Sequence, residues 1–343
     1  MLPYRDRKYL FLVLLGLGLA LLVGCGRPPT RAIAQETGAP SLSPPLDCRL
    51  DDDCLILLYS DRDPGPEAVD FGCGRQTYDG HKGTDFAIPD ERAMARGVEV
   101  FPVAPGQVLR VRDEMADRRV RNQADRAAVE GTECGNGIVI DHGNGWETQY
   151  CHLRQNSIAV QPGDRVDRDT LLGLVGTSGL SSFPHVHLSV RHDGEIVDPF
   201  VGPNAAAGCQ VSRNPLWNQP FEYTPTGLIR SGFSTEPPEM DKIWKGNYSE
   251  TQLSAASPAL LFWVQAYGVL AGDESEYRLT DPQGNVIIEH RDRIDSPSRT
   301  WLGYVGKKNT SDRPLTPGTW NASYRLTRGD RTLIDINRPI QLQ

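Results

Sequence analysis

The chain has 343 residues, a formal net charge of −8 and an isoelectric point near 5.4. An acidic balance argues against nucleic acid as the main partner, because nucleic-acid-binding proteins usually carry a basic face. The length leaves room for about two domains.

The N-terminus is typical of an export signal. Arg5, Arg7 and Lys8 precede an apolar run over residues 11–23. The run has the length of the apolar part of a signal peptide, roughly 7–15 residues, and is shorter than the about 20 residues of a membrane span. An uncleaved anchor helix is the alternative interpretation.

The apolar run ends in Leu22-Val23-Gly24-Cys25, which resembles the bacterial lipobox. That resemblance implies a signal peptide over residues 1–24, cleavage before Cys25 and a lipid anchor on its thiol. Gly26 follows the cysteine where an aspartate would retain the protein at the inner membrane. We therefore expect an exported protein anchored in the cell envelope, on the periplasmic face of the outer membrane in a double-membraned bacterium. Residues 25–46 are rich in proline and predict a disordered tether.

Cysteine usage agrees with export. The chain has seven cysteines, and setting Cys25 aside leaves an even number, which favours disulfides in an oxidising compartment. Many connectivities are open; the one we favour is Cys48–Cys54, Cys73–Cys209 and Cys134–Cys151. A structural zinc site is the alternative, but these cysteines contain no C-x₂-C pair.

Residues 47–210 predict a first, β-rich domain. Alternating apolar residues recur over 98–103, 107–111, 137–141, 146–153, 171–175 and 185–190, with glycine-rich turns between them. Asn144-Gly145 predicts a tight hairpin turn. The densely charged stretch Arg112 to Glu133 interrupts this pattern and predicts either a solvated insertion with a short helix or a wall of a substrate groove.

Residues 220–343 predict a second domain. Apolar or alternating runs at 260–267, 277–280, 286–288 and 319–326 are separated by turns such as Asp281-Pro282-Gln283-Gly284. Strands at this spacing favour an immunoglobulin-like β-sandwich. This domain contains one histidine, His290, and no cysteine, so we expect a binding or stabilising role.

Histidines concentrate in the first domain. On a strand, His185 and His187 lie on one face, because side chains alternate with period two. Two such nitrogens are part of what a catalytic zinc site needs, since it usually has three protein ligands and an open position.

His81-x-x-x-Asp85, followed much later by His185-x-His187, resembles the LytM/lysostaphin-type zinc endopeptidases, the M23 metallopeptidase family. The resemblance extends over about residues 70–200 in the family's order and rests on Gly72, His81-Lys82-Gly83-Thr84-Asp85, Val103-Ala104-Pro105-Gly106, His142-Gly143-Asn144-Gly145, Tyr150-Cys151-His152-Leu153, Val175-Gly176-Thr177-Ser178-Gly179 and Pro184-His185-Val186-His187. It implies a mainly β fold with a LytM/lysostaphin-like antiparallel sheet.

The resemblance also implies roles for individual residues. His81, Asp85 and His187 would bind one Zn²⁺ per chain, so His187 and not His185 is the ligand of the His-x-His pair. His152 and His185 would be the catalytic imidazoles, with the base and the oxyanion-stabilising residue not distinguished. Strand alternation places Cys151 on the face opposite its neighbour His152. His142 and His192 are expected to be structural and exposed, respectively.

The function implied is a zinc-dependent endopeptidase that hydrolyses peptide cross-links of peptidoglycan, with peptide stems as substrate. Two alternatives are a non-catalytic regulator of a cell-wall amidase and a peptidase of secreted proteins. Regulators of that type usually lack a metal ligand, and this chain lacks none of the three residues. The scissile bond and the oligomeric state stay open.

Overall fold

The computed structural model describes residues 38–50 and 52–343. The predicted signal peptide, Cys25 and the tether as far as residue 37 lie outside the described residues. Within the described part of the chain, none of the helices has the length and apolar character that a membrane span requires.

Strands provide nearly all the regular structure of the N-terminal region, as its alternating sequence predicts. They are β1 (Leu55–Leu58), β2 (Thr84–Ala87), β3 (Glu99–Val100), β4 (Gly106–Arg112), β5 (Asn136–Gly143), β6 (Trp146–Leu153), β7 (Arg165–Val166), β8 (Gly173–Leu174), β9 (His185–His192) and β10 (Glu195–Val197). Eight strands form one sheet in the order β1-β2-β9-β6-β5-β4-β7, with β10 beside β9, and every pairing in it is antiparallel. The predicted mainly β fold is confirmed.

Local sequence explains the connections. Asn144 and Gly145 join β5 to β6 with φ of 52° and 80°, the left-handed values that a type I′ turn requires. Helix α1 (Glu91–Arg96) begins at Asp90, whose side chain accepts a hydrogen bond from the Ala93 N–H. Helix α2 (Gln123–Ala127) is the short helix predicted in the charged insertion.

The predicted tether is wrong for residues 38–46. Leu42 and Leu46 are buried in the N-terminal core, and the Leu42 N–H donates to the carbonyl of Leu216. The two leucines bury apolar surface, which offsets the entropy lost on ordering this segment. The N-terminal domain also extends beyond its predicted end at residue 210, since Trp217 belongs to the same core.

The C-terminal region is built from two sheets. Its elements are β11 (Gly227–Ser234), α3 (Met240–Trp244), β12 (Gln252–Leu253), β13 (Ala259–Val269), β14 (Glu274–Thr280), β15 (Val286–Arg293), β16 (Ser298–Lys308), β17 (Gly318–Arg328) and β18 (Arg331–Leu342). The sheets β11-β13-β16 and β12-β18-β17-β14-β15 contribute side chains to one apolar core. The immunoglobulin-like sandwich stays a prediction.

The two regions share a buried contact surface, here called the interface cluster: Leu55, Leu57, Leu58, Ala87, Phe183, Ile229, Trp244 and Tyr267. Charged side chains border it. Arg119 of the insertion is buried and binds Glu91 of α1 together with Asp241 of α3, and Arg230 lies 2.7 Å from Asp90. The C-terminal region is therefore packed on the N-terminal one and is not a loosely attached module.

Three disulfides join the cysteines in the favoured pairing: Cys48–Cys54, Cys73–Cys209 and Cys134–Cys151. That prediction is confirmed. The Cys73–Cys209 bond spans 136 residues of sequence and the Cys48–Cys54 bond spans 6. In the chain-entropy model, the longer loop restricts the unfolded chain more.

Removing the longer disulfide is expected to cost more stability than removing the shorter one. We expect the free energy of unfolding to fall by about 5 kcal/mol in Cys73→Ala/Cys209→Ala and by about 2 kcal/mol in Cys48→Ala/Cys54→Ala. Urea titration of both double variants measures the difference. Equal losses would show that loop length does not set the contribution.

A buried carboxyl gives a second prediction about stability. Asp198 follows β10 and is 3% exposed; its Oδ1 accepts the Phe200 N–H, and its Oδ2 lies 3.9 Å from Arg62 Nε. Burial raises the pKa of Asp198 to about 6. Because the folded pKa exceeds the unfolded one, the folded state binds more protons between about pH 4 and 6, and stability falls as pH rises through that window.

We therefore expect Asp198→Asn to stabilise the protein at pH 7.5 by on the order of 2 kcal/mol, because a neutral amide keeps the hydrogen bond without a buried charge. At pH 4 the variant and the wild type should differ little. Unfolding curves at both pH values measure this, with the exposed Asp330→Asn as control. The same difference at both pH values would contradict the assigned cause.

Candidate metal centre and catalytic cleft

Three side chains from the predicted ligand set converge at one point. Asp85 Oδ1 lies 3.2 Å from His81 Nε2 and 2.8 Å from His187 Nδ1, and the two imidazole nitrogens are 3.2 Å apart. Among the described residues, these three form the group of histidine, cysteine and acidic side chains that could hold a metal ion.

Strand register explains this convergence. Asp85 on β2 is paired directly with His187 on β9, and opposed residues of an antiparallel pair point to the same face. His81 reaches the same point from the loop before β2. Gly83 in that loop has no substitute, because a Cβ there would lie 2.6 Å from His187 Nε2 and 2.5 Å from the Leu188 carbonyl oxygen.

Hydrogen bonds to groups outside the cluster orient the imidazoles of His81 and His187. His81 Nδ1 donates to the Tyr59 carbonyl at 2.6 Å, which leaves the Nε2 lone pair facing Asp85. His187 Nε2 lies 3.1 Å from Ser189 Oγ, so its Nδ1 faces the cluster. This outer support of each ring is the usual arrangement around metal-binding histidines. Two nitrogens and one carboxylate oxygen, each oriented from outside, fit a divalent metal with a position left open.

His185 lies beside this cluster. It precedes His187 by two residues on β9, and its Nε2 is 3.6 Å from Asp85 Oδ1. Its Nδ1 donates to the Phe183 carbonyl at 2.8 Å. The lone pair of Nε2 is therefore turned towards the cluster and can accept a proton.

His152 reaches the same site through an unusual backbone. Its ring centroid is 4.7 Å from that of His185 and 5.9 Å from that of His187. The register pairs Cys151 with His187, so regular alternation would turn His152 towards the core. A φ of 63° at His152 breaks the alternation, and its N–H donates to the Cys134 carbonyl. Left-handed backbone at a non-glycine residue costs energy and often marks functional sites.

The expectation that Cys151 lies on the face opposite the site is therefore wrong. Cys151 is opposed to His187, and Gln149, two residues earlier on the strand, lies 3.3 Å from the sulfur of Cys134. The Cys134–Cys151 disulfide thus flanks His152 on the site's own face. The prediction from side-chain alternation failed here because alternation assumes that every residue of the strand has extended backbone, and His152 does not.

Asp85 is the anion of the cluster. Burial opposes charge on His81, but the Asp85 carboxylate outweighs it and raises the pKa of His81 above its ordinary value. Burial raises the pKa of Asp85, but the charges of His81 and His185 outweigh it and hold the pKa well below its ordinary value. Burial lowers the pKa of His152 far below its ordinary value, and the neighbouring His185 lowers it further. His152 Nδ1 donates to the Ser178 carbonyl at 2.8 Å, and its Nε2 has no partner among the described residues. His152 is thus a neutral proton acceptor.

Asp85, His152, His185 and His187 line a cavity of about 970 Å³. The insertion contributes Arg119, Arg121 and Arg126 to the lining, so it is a wall of the cleft, as one of the two interpretations predicts. The C-terminal region contributes Met240, Asp241, Trp244, Arg299 and Thr300. Sequence reasoning missed this second contribution, because no pattern within 220–343 indicates which surface it contacts.

The other histidines of the first domain lie apart from the cluster. His142 bonds the Pro105 carbonyl through Nδ1 and Thr148 Oγ1 through Nε2, as expected of a structural residue. His192 stacks on Trp146 with ring centroids 4.4 Å apart and is half-buried rather than free in solvent.

The part of the chain that carries this site is similar to known peptidases. Residues 79–199 match the model of Peptidase family M23. The peptidoglycan DD-endopeptidase ShyA of Vibrio cholerae is 33% identical over 118 residues, covering 34% of this chain and 22% of that protein. The DD-carboxypeptidase/endopeptidase Mpg of Neisseria meningitidis serogroup B is 40% identical over 122 residues, covering 35% and 22%.

Among solved structures, a putative peptidase M23 from Pseudomonas aeruginosa is 26% identical, with 47% of this chain and 52% of that chain covered and a TM-score of 0.26. The chain spans less than a quarter of the length of ShyA and of Mpg. Residues 79–199, which the family model matches, include the three side chains of the cluster together with His152 and His185.

Proposed function

We propose that the protein is a zinc-dependent endopeptidase that hydrolyses peptide cross-links of peptidoglycan, because residues 79–199 match the model of Peptidase family M23. One observation carries the proposal: His81 Nε2, Asp85 Oδ1 and His187 Nδ1 converge in a cleft that also contains His152 and His185. Three metal-binding atoms beside two proton acceptors are what metal-assisted amide hydrolysis needs.

In this proposal His81, Asp85 and His187 hold the metal. A bound divalent ion would lower the pKa of a water molecule and polarise the scissile carbonyl. Nitrogen and carboxylate donors suit Zn²⁺. The negative charge of Asp85 offsets part of the ion's charge inside a buried site, and the Tyr59 carbonyl keeps His81 in the binding tautomer.

His152 and His185 move protons. Each donates Nδ1–H to a backbone carbonyl, which leaves Nε2 as an acceptor. An Nε2 lone pair takes the proton that the attacking water loses, and the resulting imidazolium gives it to the amine as the carbon–nitrogen bond breaks. The ring centroid of the second imidazole is 4.7 Å away, and this imidazole has to be protonated at Nε2 to donate a hydrogen bond to the tetrahedral oxygen and stabilise its charge.

The substrate class is supported by ShyA and Mpg, whose names describe peptidoglycan endopeptidase activity. An exported, lipid-anchored protein on the periplasmic face of the outer membrane would meet that substrate. The complete set of three metal-binding side chains argues against a non-catalytic amidase regulator, and no observation favours a peptidase of secreted proteins.

Digestion of purified sacculi by the purified protein tests the proposal. We expect new free amino groups and release of uncross-linked muropeptides, which chromatography and mass spectrometry measure. Casein and a polyglycine peptide serve as alternative substrates. Turnover of casein with intact sacculi would contradict the proposed substrate, and binding to an amidase without any turnover would support the regulator instead.

A further inference from the structure

Three aromatic rings connect the C-terminal region to the catalytic cleft. Trp244 on α3 stacks on Phe183 with centroids 5.5 Å apart, and Phe183 stacks on His185 with centroids 4.3 Å apart. The interplanar angles are 28° and 26°. All three side chains are buried, at 5%, 8% and 3% exposure. Contact through Phe183 therefore extends from the C-terminal region to a catalytic imidazole.

Phe183 holds His185 in two ways. Its ring covers one face of the imidazole, and its carbonyl accepts the Nδ1 hydrogen bond at 2.8 Å. Ser181 Oγ lies 3.3 Å from the same nitrogen. Phe183 belongs to a loop and not to a strand, so its position depends on what packs against it. Trp244 is the aromatic partner that the C-terminal region provides.

The position of Trp244 is itself fixed by contacts to the N-terminal region. Arg119 Nη2 lies 2.8 Å from Asp241 Oδ1, at the start of α3. Arg230 Nη1 donates to the Ile243 carbonyl at 2.9 Å and lies 2.7 Å from Asp90. Helix α3 is thus bound at Asp241 and at the Ile243 carbonyl. These contacts hold the Trp244 ring, at the end of the helix, in place.

We propose that Trp244 is a positioning residue for His185, acting through Phe183, so that the C-terminal region is part of the working catalytic cleft. This inference rests on the proposed function, because it assigns Trp244 a role in the same reaction. Trp244 lies in the cleft wall and supports the His185 ring, and it does not handle the proton. Small displacements of a catalytic group, of about 1 Å, can cost about 100-fold in rate.

Kinetics of Trp244 variants of the full chain test the inference. We expect Trp244→Ala to lower kcat roughly 10- to 100-fold, with KM within about twofold and metal content unchanged. Trp244→Phe should keep kcat within about threefold, since a ring still meets Phe183. Trp244→Leu fills much of the volume without a ring and should also lower kcat. It keeps the inference testable if Trp244→Ala does not fold.

Leu315→Ala is the matched control, because it truncates a buried side chain in the C-terminal core outside the interface cluster. It should lower thermal stability and leave kcat unchanged. Wild-type kcat in folded Trp244→Leu, or an equal loss of kcat in Leu315→Ala, would overturn the inference. Failure of the proposed function would look different: the wild type would be inactive, or His185→Ala would keep full activity.

Discussion

Replacing His187 by alanine is expected to abolish both metal binding and hydrolysis. His187 Nδ1 is one of three donor atoms and lies opposite Asp85 in the sheet, so its removal leaves a histidine and a carboxylate to hold the ion. A catalytic zinc usually has three protein ligands. We expect activity on sacculi to fall at least about 1,000-fold, because the metal-dependent part of the rate is lost. Elemental analysis and muropeptide release measure the two effects.

His192→Ala is the matched control for this variant. It removes another imidazole from the same strand, one that stacks on Trp146 outside the cluster. Metal content and activity should both stay at the wild-type level. A metal-loaded, active His187→Ala protein would contradict the proposed ligand set.

Replacing His152 by alanine is expected to separate binding from catalysis. Its Nε2 is a proton acceptor in the cleft, but the three converging donor atoms belong to other side chains. The variant should keep its metal and lose about 100- to 10,000-fold in kcat, the usual contribution of general acid–base catalysis. Metal analysis together with initial rates on sacculi tests this pair of outcomes.

His142→Ala serves as the control, since His142 bonds Pro105 and Thr148 away from the cluster. Its kcat should stay close to that of the wild type. Loss of metal from His152→Ala would instead indicate that His152 is a ligand, and full activity would remove it from the reaction.

The ligand set was predictable only through the resemblance to the M23 family, because Asp85 and His187 are 102 residues apart and meet through a long-range strand pairing. The β2 and β9 strands are regular, so the period of two sets the faces of Asp85, His185 and His187. The β5–β6 hairpin followed from Asn144-Gly145. The favoured disulfide pairing was also correct, although only Cys151 of the paired cysteines lies in a strand.

What could not be predicted depends on departures from regular backbone and on long-range contacts. The left-handed φ of His152 turns its ring into the site, on the same face as Cys151, which the strand register opposes to His187. Leu42 and Leu46 lie in a proline-rich stretch, yet they pack in the core. Trp244 reaches the cleft only because two regions dock, and no local pattern encodes that docking.

Titration of the metal-free protein with Zn²⁺, followed by the rate of cross-link cleavage in sacculi, tests the central claim most directly. The proposed site holds one ion per chain, so the rate should rise from near zero and reach a plateau at about one equivalent. Equal rates before and after zinc addition, with the metal-free state verified by elemental analysis, would contradict metal-dependent hydrolysis at His81, Asp85 and His187.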